Sequence, residues 1–415
     1  MENWKESLIR YFAQGAKDSK TAHLGAEVEH FILDSRTRTA VPYSGEKGIR
    51  QVLTRLMQSW PEAEILPDND FFGFQVPEFT ITLEPASQLE ISIAPSESVS
   101  WIGNVYRSFL LRLEEVLSKF GYTAVHAGCQ PTQRVSDLEL IPKKRYDLMN
   151  RHFQNTGTGG MEMMRGTASL QVSIDYQSEE DFRRKIQAAY YYGPVLKLLC
   201  DNAASFQGVP LKTHLKRTDI WRRTDPARCG ILPGIFSPSY GFEDYAAFLG
   251  TIPPIFLKAG QEVLPTGERT VAELYEGKSL REEELTHILS MAFPDVRLKQ
   301  YLEIRFADSV PSPYMEAYCA LIKGSLYSGE GLSHAQEQIR SRQISEEMLR
   351  ETEDDLMQNG FDGSVFGQPC REAAAHLLQL AKENLPEEEK AFLDPFDAVI
   401  RYGGIRSVPA NGSSL

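Results

Sequence analysis

Basic charge is scarce in this sequence, and paired cysteines, long apolar runs and phosphate-loop signatures are missing. Lysine and arginine number 44 against 57 aspartates and glutamates, a net charge of -13. That balance argues against nucleic acid or an anionic membrane surface as the main partner. The five cysteines, Cys129, Cys200, Cys229, Cys319 and Cys370, stand singly with no CxxC pair, which argues against a zinc ribbon or a disulfide framework. No stretch approaches the roughly 20 apolar residues that span a bilayer. The opening MENWKESLIRYFAQGAKDSK contains acids and no unbroken apolar run. It reads as an amphipathic helix, not a signal or transit peptide, so the expected location is the cytoplasm. No GxxxxGK(S/T) loop and no strand-GxGxxG-helix unit occurs. TGTGG at 156–160 is more simply a flexible loop than a phosphate cradle.

What is present is alternation with a period of two. LGAEVEHFILD at 24–34 and ASLQVSIDY at 168–176 read as strands, as does QYLEIRFAD at 300–308. FTITLEPASQLEISIAP at 79–95 reads as a hairpin turning at Pro85-Ala86-Ser87. Helical patterns cover 45–60 and about 97–120, the latter opened by serine caps. A largely apolar helix follows at 179–203, with Pro194 expected to kink it. Residues 205–240 look loop-rich, and from Pro311 the pattern is helical to about 400. This mixture lacks the regular alternation of a doubly wound sheet, so the expected class is α+β, an antiparallel sheet backed by helices. Residues 1–400 are expected to form a single catalytic domain, helical over about 311–400, with a flexible tail at 401–415.

Each strand has an apolar face and a polar one. Glu27 and Glu29 share a face, as do Thr80, Thr82 and Glu84, then Gln88, Glu90 and Ser92, then Gln171, Ser173 and Asp175, then Glu303 and Arg305. These polar faces carry no lysine and one arginine. A face meeting water would be ordinary for an antiparallel sheet. Like charges directly opposed, however, repel by roughly 0.2–1 kcal/mol per pair, and cations would relieve that. Carboxylate and amide oxygens suit Mg²⁺ or Mn²⁺, which in turn hold phosphates. The acidic face is therefore expected to bind metal. Asp175 fits a strand-end cap and a ligand equally. Arg305 fits an ion pair with Glu303 and also a stabiliser of phosphoryl oxygens. His30 and His152 are expected to be ordinary packed or surface histidines, and Cys229, Cys200 and Cys319 to be structural.

Five segments in order, LGAEVEHFILD, ITLEPASQLEISIAP, MEMMRGTASLQVSIDY, DIWRRTDPARCGILPG and DVRLKQYLEIRFADSVP, together resemble the glutamate–cysteine ligases of plants and many bacteria. Beyond about residue 330 no motif matches. The resemblance implies a curved antiparallel sheet related to that of glutamine synthetase, with the metals on its concave face. It also implies the reaction: ATP phosphorylates the γ-carboxylate of glutamate, and the amine of cysteine displaces phosphate. Carried over by position, Glu27, Glu29, Glu84, Glu90, Gln171 and Glu303 would bind two or three Mg²⁺ ions (or Mn²⁺) and ATP phosphates. Ser173 would also lie at the ATP. Arg305, with Glu303, would be catalytic, facing the γ-phosphate. Arg217, Trp221, Arg228 and Thr167 would bind substrate; a guanidinium grips a carboxylate bidentately as lysine cannot.

The implied partners are glutamate, cysteine and ATP, with neither nucleic acid nor membrane, in a monomer or homodimer. Three positions depart from the family pattern. Gly166 stands where arginine is frequent, Ser173 where asparagine is common, and EPASQ replaces EPGGQ. They leave open a γ-glutamyl ligase acting on a different amine.

Overall fold

The computed structural model of the chain describes residues 3–18, 21–67, 70–259, 262–264 and 266–409. Its centre is a nine-stranded antiparallel sheet that does not close on itself. The strands are β1 (Leu24–Asp34), β2 (Glu64–Ile65), β3 (Phe74–Val76), β4 (Phe79–Leu83), β5 (Leu89–Ser96), β6 (Tyr122–Val125), β7 (Ser169–Ile174), β8 (Val296–Leu298) and β9 (Leu302–Asp308). Their order is β8-β9-β7-β1-β5-β4-β3-β2, with β6 paired to the second half of β1. The expected α+β class holds.

Register puts the polar residues on one face. Glu29 is opposite Glu90 across β1–β5, and Glu27 is opposite Gln171 across β1–β7. Thr82 faces Glu90 in the hairpin, and Ser173 lies between Gly25 and Glu303. The register of β9 against β7 shifts between Ile304 and Ala307. Such an irregularity re-aims the side chains beside it, here that of Arg305.

The opposite face is core. Val28, Ile81, Leu89, Ile91, Leu170, Val172, Ile304 and their alternating neighbours are buried, each burial contributing about 1.5–3 kcal/mol. The helices of seven residues or more are α1 (Trp4–Gln14), α2 (Ile49–Met57), α3 (Val99–Phe120), α4 (Lys144–Phe153), α5 (Gly160–Gly166), α6 (Glu179–Leu199), α7 (Lys216–Arg222), α8 (Phe242–Thr251), α9 (Glu282–Leu289), α10 (Tyr314–Leu326), α11 (Gly329–Arg342), α12 (Glu346–Asn359), α13 (Cys370–Asn384) and α14 (Asp394–Tyr402). α3, α6 and α10 pack on the apolar face of the sheet. α3 starts where Ser98 accepts a hydrogen bond from the Trp101 amide. α6 runs through Pro194 to Leu199, and every residue from Ile186 onward is buried, as its all-round apolarity required.

The stretch 205–240 is loop-rich as expected, with the short helix α7 within it. One expectation needs correction. The tail beginning at 401 is not loose over its described part: α14 ends at Tyr402, Ile405–Ser407 form a turn, and Arg406 pairs with Asp201. A polar run with few apolar residues concealed an anchor made of charge. Residues 410–415 lie outside the described residues.

Candidate active site

The polar face of the sheet lines a cavity of about 260 Å³ with two unlike walls. The acidic wall is Glu27 and Glu29 of β1, Glu90 of β5 and Glu84 from the turn between β4 and β5. That turn is held by its own side chains. Gln88 accepts from the Ala86 amide at 2.8 Å and donates to the Thr167 carbonyl at 3.1 Å. Ser87 sits at φ 68°, a left-handed backbone that glycine adopts more readily. Glu29 is fixed by the Ser169 amide and hydroxyl, both at 2.8 Å, and Glu90 accepts from Thr82 at 2.7 Å.

Burial pushes the Glu27 carboxyl up to about 8, helped by the charges of Glu90 and Glu303. Burial and Glu29 push Glu90 up to about 7. Burial and Glu90 hold Glu84 well above the usual carboxyl range. Glu29 is also raised by burial, against the pull of Arg217 and its Ser169 bonds. Desolvation and mutual repulsion disfavour the charged forms together. The wall therefore holds protons, and full deprotonation would put charges there that burial and their neighbours resist.

The adjoining wall, two strands away in the same sheet, is cationic. Arg297 of β8 donates to Glu303 at 2.7 Å, Lys299 at 2.8 Å and Arg305 of β9 at 2.9 Å. Burial alone would raise the Glu303 carboxyl, but these three cations hold it well below the ordinary range. Glu303 therefore differs from the other glutamates. It gathers the cations, and both its oxygens are already engaged. Arg305 also donates to the side-chain oxygen of Gln171. Trp221 stands between two guanidiniums, with Arg305 5.7 Å and Arg217 5.8 Å from its ring centroid. Arg217 donates to the Arg305 carbonyl at 3.0 Å. Among the described residues, its Nε and the indole Nε1 of Trp221 are buried donors without a partner, an arrangement that costs free energy until something accepts from them.

Other expected residues fall elsewhere. Arg228 does not line the cavity. It is buried, with Nε on Asp225 at 2.6 Å and its two terminal nitrogens on the Met291 and Pro253 carbonyls. Its guanidinium serves as an internal brace, shared with His152, which lies 2.8 Å from Asp225. Ser173 shares the polar face but is not among the cavity residues. Thr167 lines the cavity while its hydroxyl donates to the Met163 carbonyl at 2.7 Å. Asp175 lies beyond β7, 3.6 Å from His23. His30 is a core residue between the Leu89 carbonyl and Tyr106, and burial lowers it to about 4. Burial pushes the Cys229 thiol up to about 12, so it is not a poised nucleophile.

Sequence reasoning missed Arg145, Arg297 and Lys299, all of which line the cavity. Val296-Arg297-Leu298-Lys299 does alternate, and starting that strand earlier would have found two of them. Arg145, on α4, gave no such signal. Among the described residues, no group of three histidine, cysteine or acidic side chains is placed to hold a metal ion.

One antiparallel sheet gathers buried carboxylates and buried guanidiniums round a single cavity, an arrangement suited to charged ligands. The protein's class is that of the ATP-dependent ligases. The chain belongs to glutamate-cysteine ligase family 2 (GCS2), whose model matches residues 23–407. It is 30% identical to a glutamate–cysteine ligase A, chloroplastic, of Oryza sativa subsp. indica, over 96% of this chain and 82% of that one. It is also 30% identical to the chloroplastic glutamate–cysteine ligase of Arabidopsis thaliana, over 96% and 77%. A glutamate–cysteine ligase from Francisella tularensis, solved in complex with AMP, shares the fold with a TM-score of 0.54 at 9% identity, covering 94% of this chain and 84% of that one. Among the described residues no helix is long and apolar enough to cross a membrane.

Proposed function

We propose that this ligase joins the γ-carboxylate of glutamate to the amine of cysteine, driven by ATP, giving γ-glutamylcysteine, ADP and phosphate. The observation that carries the reading is the pairing of an acidic wall with a cationic wall in one cavity. A carboxylate oxygen of glutamate attacks the terminal phosphorus of ATP, and ADP leaves. The amine nitrogen then attacks the acyl carbon, phosphate leaves, and the nitrogen loses a proton.

The chain's own residues supply position and charge, which is most of what phosphoryl transfer requires. Arg217 and Trp221 offer their unpartnered donors to the glutamate carboxylate. Arg305, aligned by Gln171 and Glu303, faces the phosphoryl oxygens, and Arg297 and Lys299 add positive charge beside it. Mg²⁺ fits the acidic wall, as does Mn²⁺, because Glu27, Glu29, Glu84 and Glu90 are hard oxygen donors whose repulsion a cation removes. Bound there, it would neutralise the phosphates and polarise the acyl phosphate. Because no cluster of three protein ligands is in place among the described residues, substrate oxygens would complete the coordination. Glu303, already held by three cations, supports the arginines more than it binds metal. We place the reaction in one domain in the cytoplasm, on acidity and unpaired cysteines, with small molecules as partners.

One observation keeps the acceptor open. A Cβ on Gly166 would lie 2.6 Å from Val135 Cγ1, so an arginine there would have to displace that valine side chain. Arg165 beside it points to the Leu138 carbonyl and Asn150. A γ-glutamyl ligase for another amine is therefore the second reading. Purified protein with ATP, Mg²⁺, glutamate and a panel of amines, with products identified by mass, decides between them. Cysteine turning over no faster than alanine, or than no amine, would end the first reading.

A further inference from the structure

The C-terminal third carries no substrate motif, yet it grips α7 at both ends. α7 bears Arg217 and Trp221, is 7 residues long, and starts from Leu215 in the left-handed region at φ 50°. A helix this short has little stability of its own, so its position is set by what holds it.

At its start, the Leu215 amide donates to Asp201 Oδ1 at 3.1 Å and the His214 amide donates to the Met357 carbonyl of α12 at 2.9 Å. Asp201 is buried, and Arg406 closes over it, one terminal nitrogen 2.7 Å from Asp201 Oδ2 and the other 2.7 Å from the Ala203 carbonyl. At its end, Arg222 donates to Glu353 of α12 at 2.6 Å and also to Asp354. Glu353 takes Lys197 at 2.5 Å, and Lys197 reaches Asp295 at 2.7 Å. The Asp295 carbonyl accepts from the Arg305 amide at 3.1 Å. The chain of contacts thus runs from α12 to α7 and, through Asp295, to the backbone of Arg305.

We infer that α12 and the Arg406 turn form a bracket that positions α7, and through it Arg217 and Trp221, for the carboxylate of the acyl donor. Asp201, Glu353 and Arg406 are positioning residues, because none lines the cavity. The inference rests on the reading of Arg217 and Trp221 as acyl-donor residues given above.

The test uses the full chain with Arg406→Ala, Arg406→Lys and Glu353→Gln. Arg406→Ala is expected to raise the KM for glutamate roughly tenfold, leave the KM for ATP within about twofold, and change kcat little. Amide hydrogen exchange should quicken over 215–223 and stay unchanged over β1. Arg406→Lys, which keeps the ion pair with Asp201, should restore much of the affinity. If Glu353→Gln does not fold, because Lys197 loses a buried partner, Arg406→Ala still carries the test; its side chain is 20% exposed. Unchanged exchange over 215–223 would overturn the bracket. Quicker exchange with an unaltered glutamate KM would overturn the positioning role. A wild-type protein that does not use glutamate would instead refute the proposed function, whatever the exchange shows.

Discussion

The two walls of the cavity differ in how they are built. The acidic wall comes from long, regular strands and a tight hairpin, so its residues recur every second position. The cationic wall comes from a three-residue edge strand, an irregular stretch of β9, and a short helix between loops. The glutamates are carried by backbone that the rest of the sheet already fixes. Arg297, Lys299 and Arg305 are held by ion pairs to Glu303, and Arg217 by the Arg305 carbonyl. Regular backbone can therefore hold repelling charge, whereas attracting charge can organise irregular backbone.

Charge-altering substitutions separate the two walls. Glu27→Gln should lower kcat by roughly 10²–10³-fold while leaving the apoprotein as stable as the wild type or more so, because it removes a buried carboxyl whose ionisation burial and its neighbours oppose. Lost activity together with lost stability would place Glu27 among the structural residues. Arg217→Ala on the other wall should raise the KM for glutamate roughly 10- to 100-fold, the loss of a charge-assisted hydrogen bond. An unchanged KM would free Arg217 from that role.

Arg228→Met should behave differently from Arg217→Ala. It breaks a buried pair with Asp225, at a cost of roughly 3–5 kcal/mol in stability, and the folded fraction should keep its substrate KM. Thermal melts with kinetics on the same preparations distinguish the two. A KM effect without a drop in Tm would return Arg228 to the substrate site.

The acidic wall also sets a pH dependence. Glu27 and Glu90 titrate at about 8 and about 7 in the folded chain, against 4.5 ordinarily. Between those values the folded state holds protons that the unfolded state has released. The contribution of these two groups to stability is therefore fully present below the ordinary carboxyl value and is lost as pH climbs towards 8. Glu27→Gln should flatten that decline, and so should saturating Mg²⁺. A Tm that rises over the same window would contradict the account. The smallest effect is expected at Cys229, where iodoacetamide near neutral pH should leave activity unchanged, since its thiol sits at about 12.

The same contrast decides what was legible in the sequence. Glu27, Glu29, Glu90 and Gln171 could be read from alternation, because a strand's period fixes which face a side chain takes. Glu84 followed from the hairpin. Arg217 and Trp221 were reached by family resemblance, not by pattern, since seven helical residues between loops give too short a window for periodicity. Arg228, three residues from Asp225, looked like its neighbours in the same segment. Only the tertiary contacts with Met291 and Pro253 show that its nitrogens are committed. Arg406 was read as tail because one charged residue in a polar run carries no local signal of the buried aspartate it meets.

The central claim is that the buried glutamates are an acidic wall awaiting divalent cations. Calorimetric titration of the apoprotein with Mn²⁺ at pH 7, repeated in buffers of different ionisation enthalpy, tests it directly. Binding accompanied by proton release, with both signals reduced in Glu27→Gln, is the predicted result, because the raised carboxyls must deprotonate to coordinate metal. Absence of binding at millimolar Mn²⁺, or binding that Glu27→Gln leaves untouched and that releases no protons, would contradict it.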